Sequence, residues 1–241
     1  MIITSLNNEK IKYLTKLNQK KYRSDTFLVE GKHLVEEAYK KNLVKLLIVL
    51  EDYKLDNIDN VDTIKVSYDV MKKISLTDTP PKIMAEVIKK EDKKIGNKVI
   101  ILDDITDPGN LGTIIRSAVA FNFDTVILSN NTTDLYNPKV IRATEGMLFN
   151  INIIRDNLLN IISKLKEEKY FILGTKVTNG KDIIKYRNIN KIALIMGNET
   201  RGMNRDLDNL CDDYIYIKMN NKCESLNVGV SASILMYELS K

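Results

Sequence analysis

From Lys98 onward, short apolar runs alternate with helical stretches, save between Tyr170–Thr175 and Lys191–Met196. Lys98–Leu102, Thr125–Leu128, Ile151–Ile154, Tyr170–Thr175, Lys191–Met196 and Tyr214–Lys218 read as strands. Leu111–Phe121, Asn137–Thr144, Leu158–Lys169, Arg205–Asn209 and Val228–Leu239 read as helices. Such alternation implies an α/β domain on a mainly parallel sheet with helices on both faces. Ligands of such sheets lie beyond the C-terminal ends of the strands, so the loops leaving those ends are where chemistry is expected.

Upstream lies a smaller α/β region. Residues 7–22 place Ile11, Leu14 and Leu17 at helical spacing among lysines. Phe27–Val29, Val44–Leu50, Thr63–Val66 and Ile83–Ile88 read as strands, with helices at Lys32–Lys41 and Tyr68–Ile74. The polar run Lys89–Lys98 has little to bury and reads as a linker. It divides the chain into domains of residues 1–95 and 96–241.

With 44% hydrophobic and 29% charged residues the chain has an ordinary globular composition. No apolar run reaches membrane-spanning length and the N-terminus lacks a signal peptide's apolar core, so a cytoplasmic protein without a membrane partner is expected. Two cysteines, Cys211 and Cys223, fit a reduced compartment. The single histidine, His33, cannot build a multi-His metal site, and no metal is expected. GxSxG, GxxxxGK[ST] and GxGxxG are all absent, which removes the hydrolase elbow, the P-loop and the dinucleotide fingerprint.

The net charge of +5 is concentrated near the N-terminus, where Lys10, Lys12, Lys16, Lys20, Lys21 and Arg23 face only Glu9. The cluster is either a solvated helix face or an arm that neutralises RNA phosphates. Tyr13 and Tyr22, set among the lysines, are either packing residues or platforms for bases.

Three loops carry glycine with polar side chains. The first, Asp103–Ala118, has Pro108 and Gly109 for a turn, Asn110 and Thr113 as candidate caps, and Arg116 within the following helix. An arginine near a helix start faces the unfavourable end of the dipole unless an anion joins it. The second, Leu194–Asn204, sets Asn198, Glu199 and Arg201 between Gly197 and Gly202, with Glu199 a candidate acceptor for Arg116. The third, from Cys223, places Ser225 and Asn227 before the apolar closing helix. Each alone is better explained by a capped helix, a surface arginine or a simple turn.

In this order the three loops resemble the SpoU (TrmH-like) family of RNA ribose 2′-O-methyltransferases, within the SPOUT superfamily. The resemblance covers about residues 98–241. Asn7–Ile88, including Phe27–His33, is similar to the L30e/L7Ae-like substrate-binding domain often joined to it. The resemblance implies a deep trefoil knot, S-adenosylmethionine as cofactor and a homodimer in which the partner's Arg116 completes or adjoins each site. It places the cofactor against Gly197, Ile217, Met219 and Leu226, with Thr175, Lys176 and Val177 close by, and assigns catalysis to Asn110, Arg116, Glu199, Ser225 and Asn227. Where many members have Ile-Pro-Met, this chain has Ile217-Lys218-Met219, losing a rigid backbone point.

The implied substrate is RNA, with ribosomal RNA favoured over tRNA, and the alternative is a non-catalytic RNA-binding or ribosome-assembly factor. A guanidinium hardly deprotonates, so Arg116 is expected to anchor phosphate and stabilise a developing alkoxide, with Glu199 positioning it. Cys223 reads as a bystander thiol.

Overall fold

The computed structural model describes residues 2–55 and 58–241. The chain forms two units: Met1–Glu91 with Asp134–Phe149, and Asp92–Thr133 with Asn150–Lys241. A single cut after residue 95 therefore leaves out one feature. Asp134–Phe149 lies in sequence within the second region but packs with the first unit.

The first unit is a mixed five-stranded sheet of β1 (Ile2–Ile3), β2 (Thr26–Glu30), β3 (Val44–Leu50), β4 (Thr63–Val66) and β5 (Ile83–Ile88). Their order is β1-β4-β3-β5-β2. β5 runs antiparallel to β2 and β3, and β4 runs parallel to β1 and β3. Helices α1 (Glu9–Lys16), α2 (Lys32–Lys40) and α3 (Tyr68–Ile74) cover it. The apolar side of α1, Ile11 and Leu14, joins Leu17, Leu28, Met71 and Ile74 in one core.

The expected helix over 7–22 is broken. α1 is capped by Leu17, and a separate 3-10 turn follows at Lys20–Tyr22. Asn18 spends its side-chain amide on the carbonyl of Ile74 (2.7 Å), which holds the chain away from the helical path. Arg23, expected on the surface with the lysines, is buried instead. Its Nη2 donates to Asp134 Oδ2 at 2.6 Å and its Nη1 to the carbonyls of Leu17 and Asn18. That ion pair, with Phe27 against Tyr136 (4.6 Å) and Phe149 (6.3 Å), holds the inserted segment.

The second unit carries a six-stranded sheet, parallel throughout. Its strands are β6 (Lys98–Leu102), β7 (Thr125–Leu128), β8 (Asn152–Arg155), β9 (Phe171–Thr175), β10 (Ile192–Met196) and β11 (Asp213–Ile215), in the order β11-β9-β10-β6-β7-β8. The chain winds outward from β6 through β7 to β8, then crosses back, so the strand order reverses beside β6 and β10. The helices are α4 (Pro108–Ala120), α5 (Pro138–Ala143, in the segment that joins the first unit), α6 (Leu158–Glu167) and α7 (Val228–Ser240). Val99, Ile101, Ala193 and Ile195 pack with Ile161, Ile162 and Leu165 of α6. Ile100, Leu102 and Leu194, which alternate with them, are equally buried, as a sheet covered on both faces requires. α4 and α7 meet through the Ser117 and Ser233 hydroxyls at 2.7 Å.

Candidate active site

The loop after β10 is built so that only glycine fits its first position. A Cβ on Gly197 would lie 2.2 Å from the Met203 nitrogen and 2.3 Å from the Gly202 carbonyl carbon. Gly202 takes φ +73°, a left-handed conformation natural to glycine. Asn198 and Gly202 exchange backbone hydrogen bonds of 2.9 Å in both directions, and Asn198 Oδ1 accepts from the N–H groups of Thr200 and Arg201. Asn198 Nδ2 ties the loop to the Asp104 carbonyl (2.7 Å), and Arg201 Nη2 donates to Asp104 Oδ2 (3.1 Å). Asp103 Oδ2 accepts from the Asn204 N–H at 2.6 Å, while burial pushes its carboxyl above the ordinary range.

This loop presents Glu199 to α4. Glu199 Oε1 accepts from Asn110 Nδ2 at 3.0 Å, and its carboxylate also takes bonds from Thr106, the Asp107 N–H and Asn198. Partial burial alone would raise this carboxyl, but donation from Asn110 and the backbone outweighs it and holds the group below the ordinary glutamate range. Asn110 Oδ1 in turn accepts from Asn227 Nδ2 at 2.8 Å. Asn227 Oδ1 accepts from the Gly229 and Val230 N–H groups, capping α7. Each amide orientation follows from its neighbour: a carboxylate only accepts and a helix N–H only donates, so both asparagines are fixed from the two ends.

Three expectations change here. Asn110 does not cap α4. That helix starts earlier, at Pro108, and Asp107 is its cap, accepting from the Asn110 N–H at 2.7 Å. Arg116 therefore stands on the ninth residue of α4, too far along for the helix start to act on it. Nor does Glu199 hold Arg116 within the chain. Its lone pairs go to Asn110 and the 106–107 backbone, and Arg116 is exposed with no hydrogen bond or ion pair among the described residues.

At the C-terminal ends of β9, β10 and β11 opens a cavity of about 930 Å³. Thr175, Lys176, Val177, Gly197, Ile217, Met219 and Leu226 all line it, as do Glu199, Ser225 and Asn227; Asn110 and Arg116 do not. Ile217 is not on a strand, because β11 ends at Ile215 and the chain turns to wall the cavity instead. Asn198, noted in the glycine loop but given no role, also belongs to this wall. So do Arg205 and Asp208, for which the sequence carried no signal. Cys223 is exposed and off the wall, with its thiol donating to the Ser225 carbonyl.

In the first unit Lys10, Lys12, Lys16, Lys20 and Lys21 are exposed. Lys12 pairs with Glu9 at 2.8 Å, and the Lys16 and Lys21 ammonium groups lie 5.7 and 4.9 Å from the centre of the exposed Tyr22 ring. Tyr13 is tied down, its hydroxyl donating to Glu86 at 2.7 Å. Among the described residues no helix is long and apolar enough to cross a membrane, and no group of three His, Cys, Asp or Glu is placed to hold a metal.

Residues 97–237 match the SpoU rRNA Methylase family. The chain belongs to that family. Residues 8–85 match the MRM3-like substrate binding domain, so this SpoU-family chain carries both parts. It is 37% identical to the 23S rRNA (guanosine(2553)-2′-O)-methyltransferase RlmP of Bacillus subtilis, over 98% of each chain. Its fold is similar to an AdoMet-bound rRNA methyltransferase from Sinorhizobium meliloti, with TM-score 0.86, 28% identity and coverage of 99% of this chain and 97% of that one. It is also similar to a crystallised RNA 2′-O ribose methyltransferase, with TM-score 0.83, 26% identity and coverage of 99% and 98%.

Proposed function

We propose that this SpoU-family methyltransferase uses S-adenosylmethionine to methylate a ribose 2′-hydroxyl of 23S ribosomal RNA. The observation that carries the reading is the hydrogen-bonded line Glu199–Asn110–Asn227 beside a cavity lined by all seven residues assigned to the cofactor. The full-length likeness to RlmP favours ribosomal RNA over tRNA and over a non-catalytic role.

The residues present fit the cofactor. The cavity is of small-molecule size, and Ile215, Ile217, Leu226 and Leu235 offer apolar wall for an adenosine, with Glu199, Ser225 and Asn227 as polar groups. Gly197 leaves no Cβ at the point where the returning backbone passes. When bound, the cofactor supplies an electrophilic sulfonium methyl group. The chain's own task is to hold the ribose hydroxyl in line and to favour loss of its proton. Glu199 is ionised and fully bonded at neutral pH, so it orients Asn110 rather than taking the proton. Asn110 and Asn227 present amides of fixed direction, and Ser225 adds a hydroxyl at the cavity wall.

The same proposal includes a homodimer in the cytoplasm, with a knotted catalytic region. Val230, Ile234 and Tyr237 form an exposed apolar stripe on α7, and the unpaired Arg116 suits a role across an interface, anchoring phosphate and stabilising the developing alkoxide. Residues 1–95 select RNA and residues 96–241 hold the cofactor. Mapping 2′-O-methyl sites in 23S rRNA and tRNA with and without the gene tests the substrate: a missing 23S mark restored by the purified enzyme supports it, and a missing tRNA mark overturns it. Arg116→Ala is expected to abolish transfer while calorimetry still detects cofactor binding, and light scattering is expected to give a dimeric mass.

A further inference from the structure

The cavity wall carries more charge than the hydrogen-bonded line uses. Lys176 lies over the Tyr214 ring at 3.5 Å, Arg201 is paired with Asp104, and Glu199 is held by Asn110. Arg205 lines the same wall and makes no hydrogen bond or ion pair among the described residues. It stands on the 3-10 turn Arg205–Leu210, where side chains three apart eclipse. Leu207, with Leu210 packed beside it, faces the core, so Arg205 and Asp208 share the face that looks into the cavity.

Asp208 is fixed in place. Its Oδ1 accepts from the Tyr214 hydroxyl at 2.7 Å, and its second oxygen has no partner among the described residues. Arg205 and Asp208 form no ion pair with each other, although about 6 Å of helix axis separates them. An uncommitted cation and a half-committed carboxylate on one turn are complementary to a group that carries both charges on one carbon. The α-amino-acid end of the methyl donor is such a group.

We infer that Arg205 and Asp208 bind the α-carboxylate and α-ammonium of the cofactor, and so select the intact amino-acid end over its truncated relatives. The inference rests on the proposed use of S-adenosylmethionine. It adds a charged pair on the 3-10 turn to a cavity whose other polar side chains include Glu199, Ser225 and Asn227.

Titration calorimetry on the full-length protein tests it with three probes: S-adenosylmethionine, decarboxylated S-adenosylmethionine, which keeps the amine, and methylthioadenosine, which has neither charge. The wild type is expected to prefer the first over the second by about ten-fold, the scale of one charge-assisted contact. Arg205→Ala should erase that preference, and Arg205→Lys should restore part of it. Asp208→Asn should weaken the two amine-bearing probes together. Methylthioadenosine affinity should stay constant throughout, which a merely structural role for either residue would not allow. The inference is overturned if Arg205→Ala keeps the preference, if methylthioadenosine affinity falls in step, or if the only loss is in RNA binding. A wild type that binds none of the three probes overturns the proposed function along with it.

Discussion

In the second unit Glu199, Asn110 and Asn227 are bonded to one another and to a helix end, whereas in the first unit the Lys10 and Lys20 side chains reach solvent with no hydrogen bond or ion pair of their own among the described residues. Both sets are polar and close to a helix. The bonded set is pre-organised: its directions are decided before any ligand arrives, as a site that must align reacting atoms requires. The free lysines supply charge without direction, which suits recognition of a phosphate backbone at many positions. Arg23 sits on the wrong side of this division for its sequence neighbourhood, because its charge is consumed by Asp134.

The sharpest way to break the contrast is Gly197→Ala. Its Cβ would overlap backbone rather than a flexible side chain, so the loop must move and cofactor binding is expected to vanish in calorimetry, with a stability loss of about 2–4 kcal/mol by thermal denaturation. Retained binding would show that the loop is not pre-organised. Next in size, Glu199→Gln should lower turnover about a hundred-fold while cofactor affinity stays within a few-fold, since it removes the charge that orients Asn110. For the wild type, the lowered Glu199 value sets the sign of the pH effect. The stabilisation is complete above the ordinary glutamate range and is lost as pH falls through the lower folded value. A pH–rate profile that falls off near neutrality would contradict this.

Smaller effects are expected in the first unit. Charge reversal at Lys16, Lys20 and Lys21 should weaken RNA binding about ten-fold at low salt and flatten its dependence on salt, leaving cofactor affinity unchanged. A flat salt slope in the wild type would return these lysines to a solvated face. Cys223→Ser should retain nearly full activity, because the thiol contacts only its own loop; a folded but inactive variant would reopen covalent chemistry.

Much of the fold was legible because long apolar runs have one sensible use. Val44–Leu50 and Lys98–Leu102 are strands with the expected bounds. β1 was not legible, since Ile2–Ile3 is too short to show a period and exists through pairing with Lys65 and Val66. β11 was overextended because Tyr216 and Ile217 look like strand residues but face the cavity. At the site, the order of the three loops revealed which residues assemble. It did not reveal that Glu199 would meet Asn110 rather than Arg116, nor that Asp107 would take the capping role. Both depend on where α4 begins, and Pro108 set that one turn earlier than the apolar pattern suggested.

The line from α7 to Glu199 also has an electrical sense. The N–H end of α7 carries partial positive charge, Glu199 carries a full negative one, and the two asparagine amides lie between these poles with every donor pointing toward the carboxylate. The amides are thus two dipoles lined up in a field that the protein itself maintains. A charge change at Glu199 is felt not only by Asn110 but at the first turn of the closing helix, so the three loops respond to one ionisation as a single polarised object.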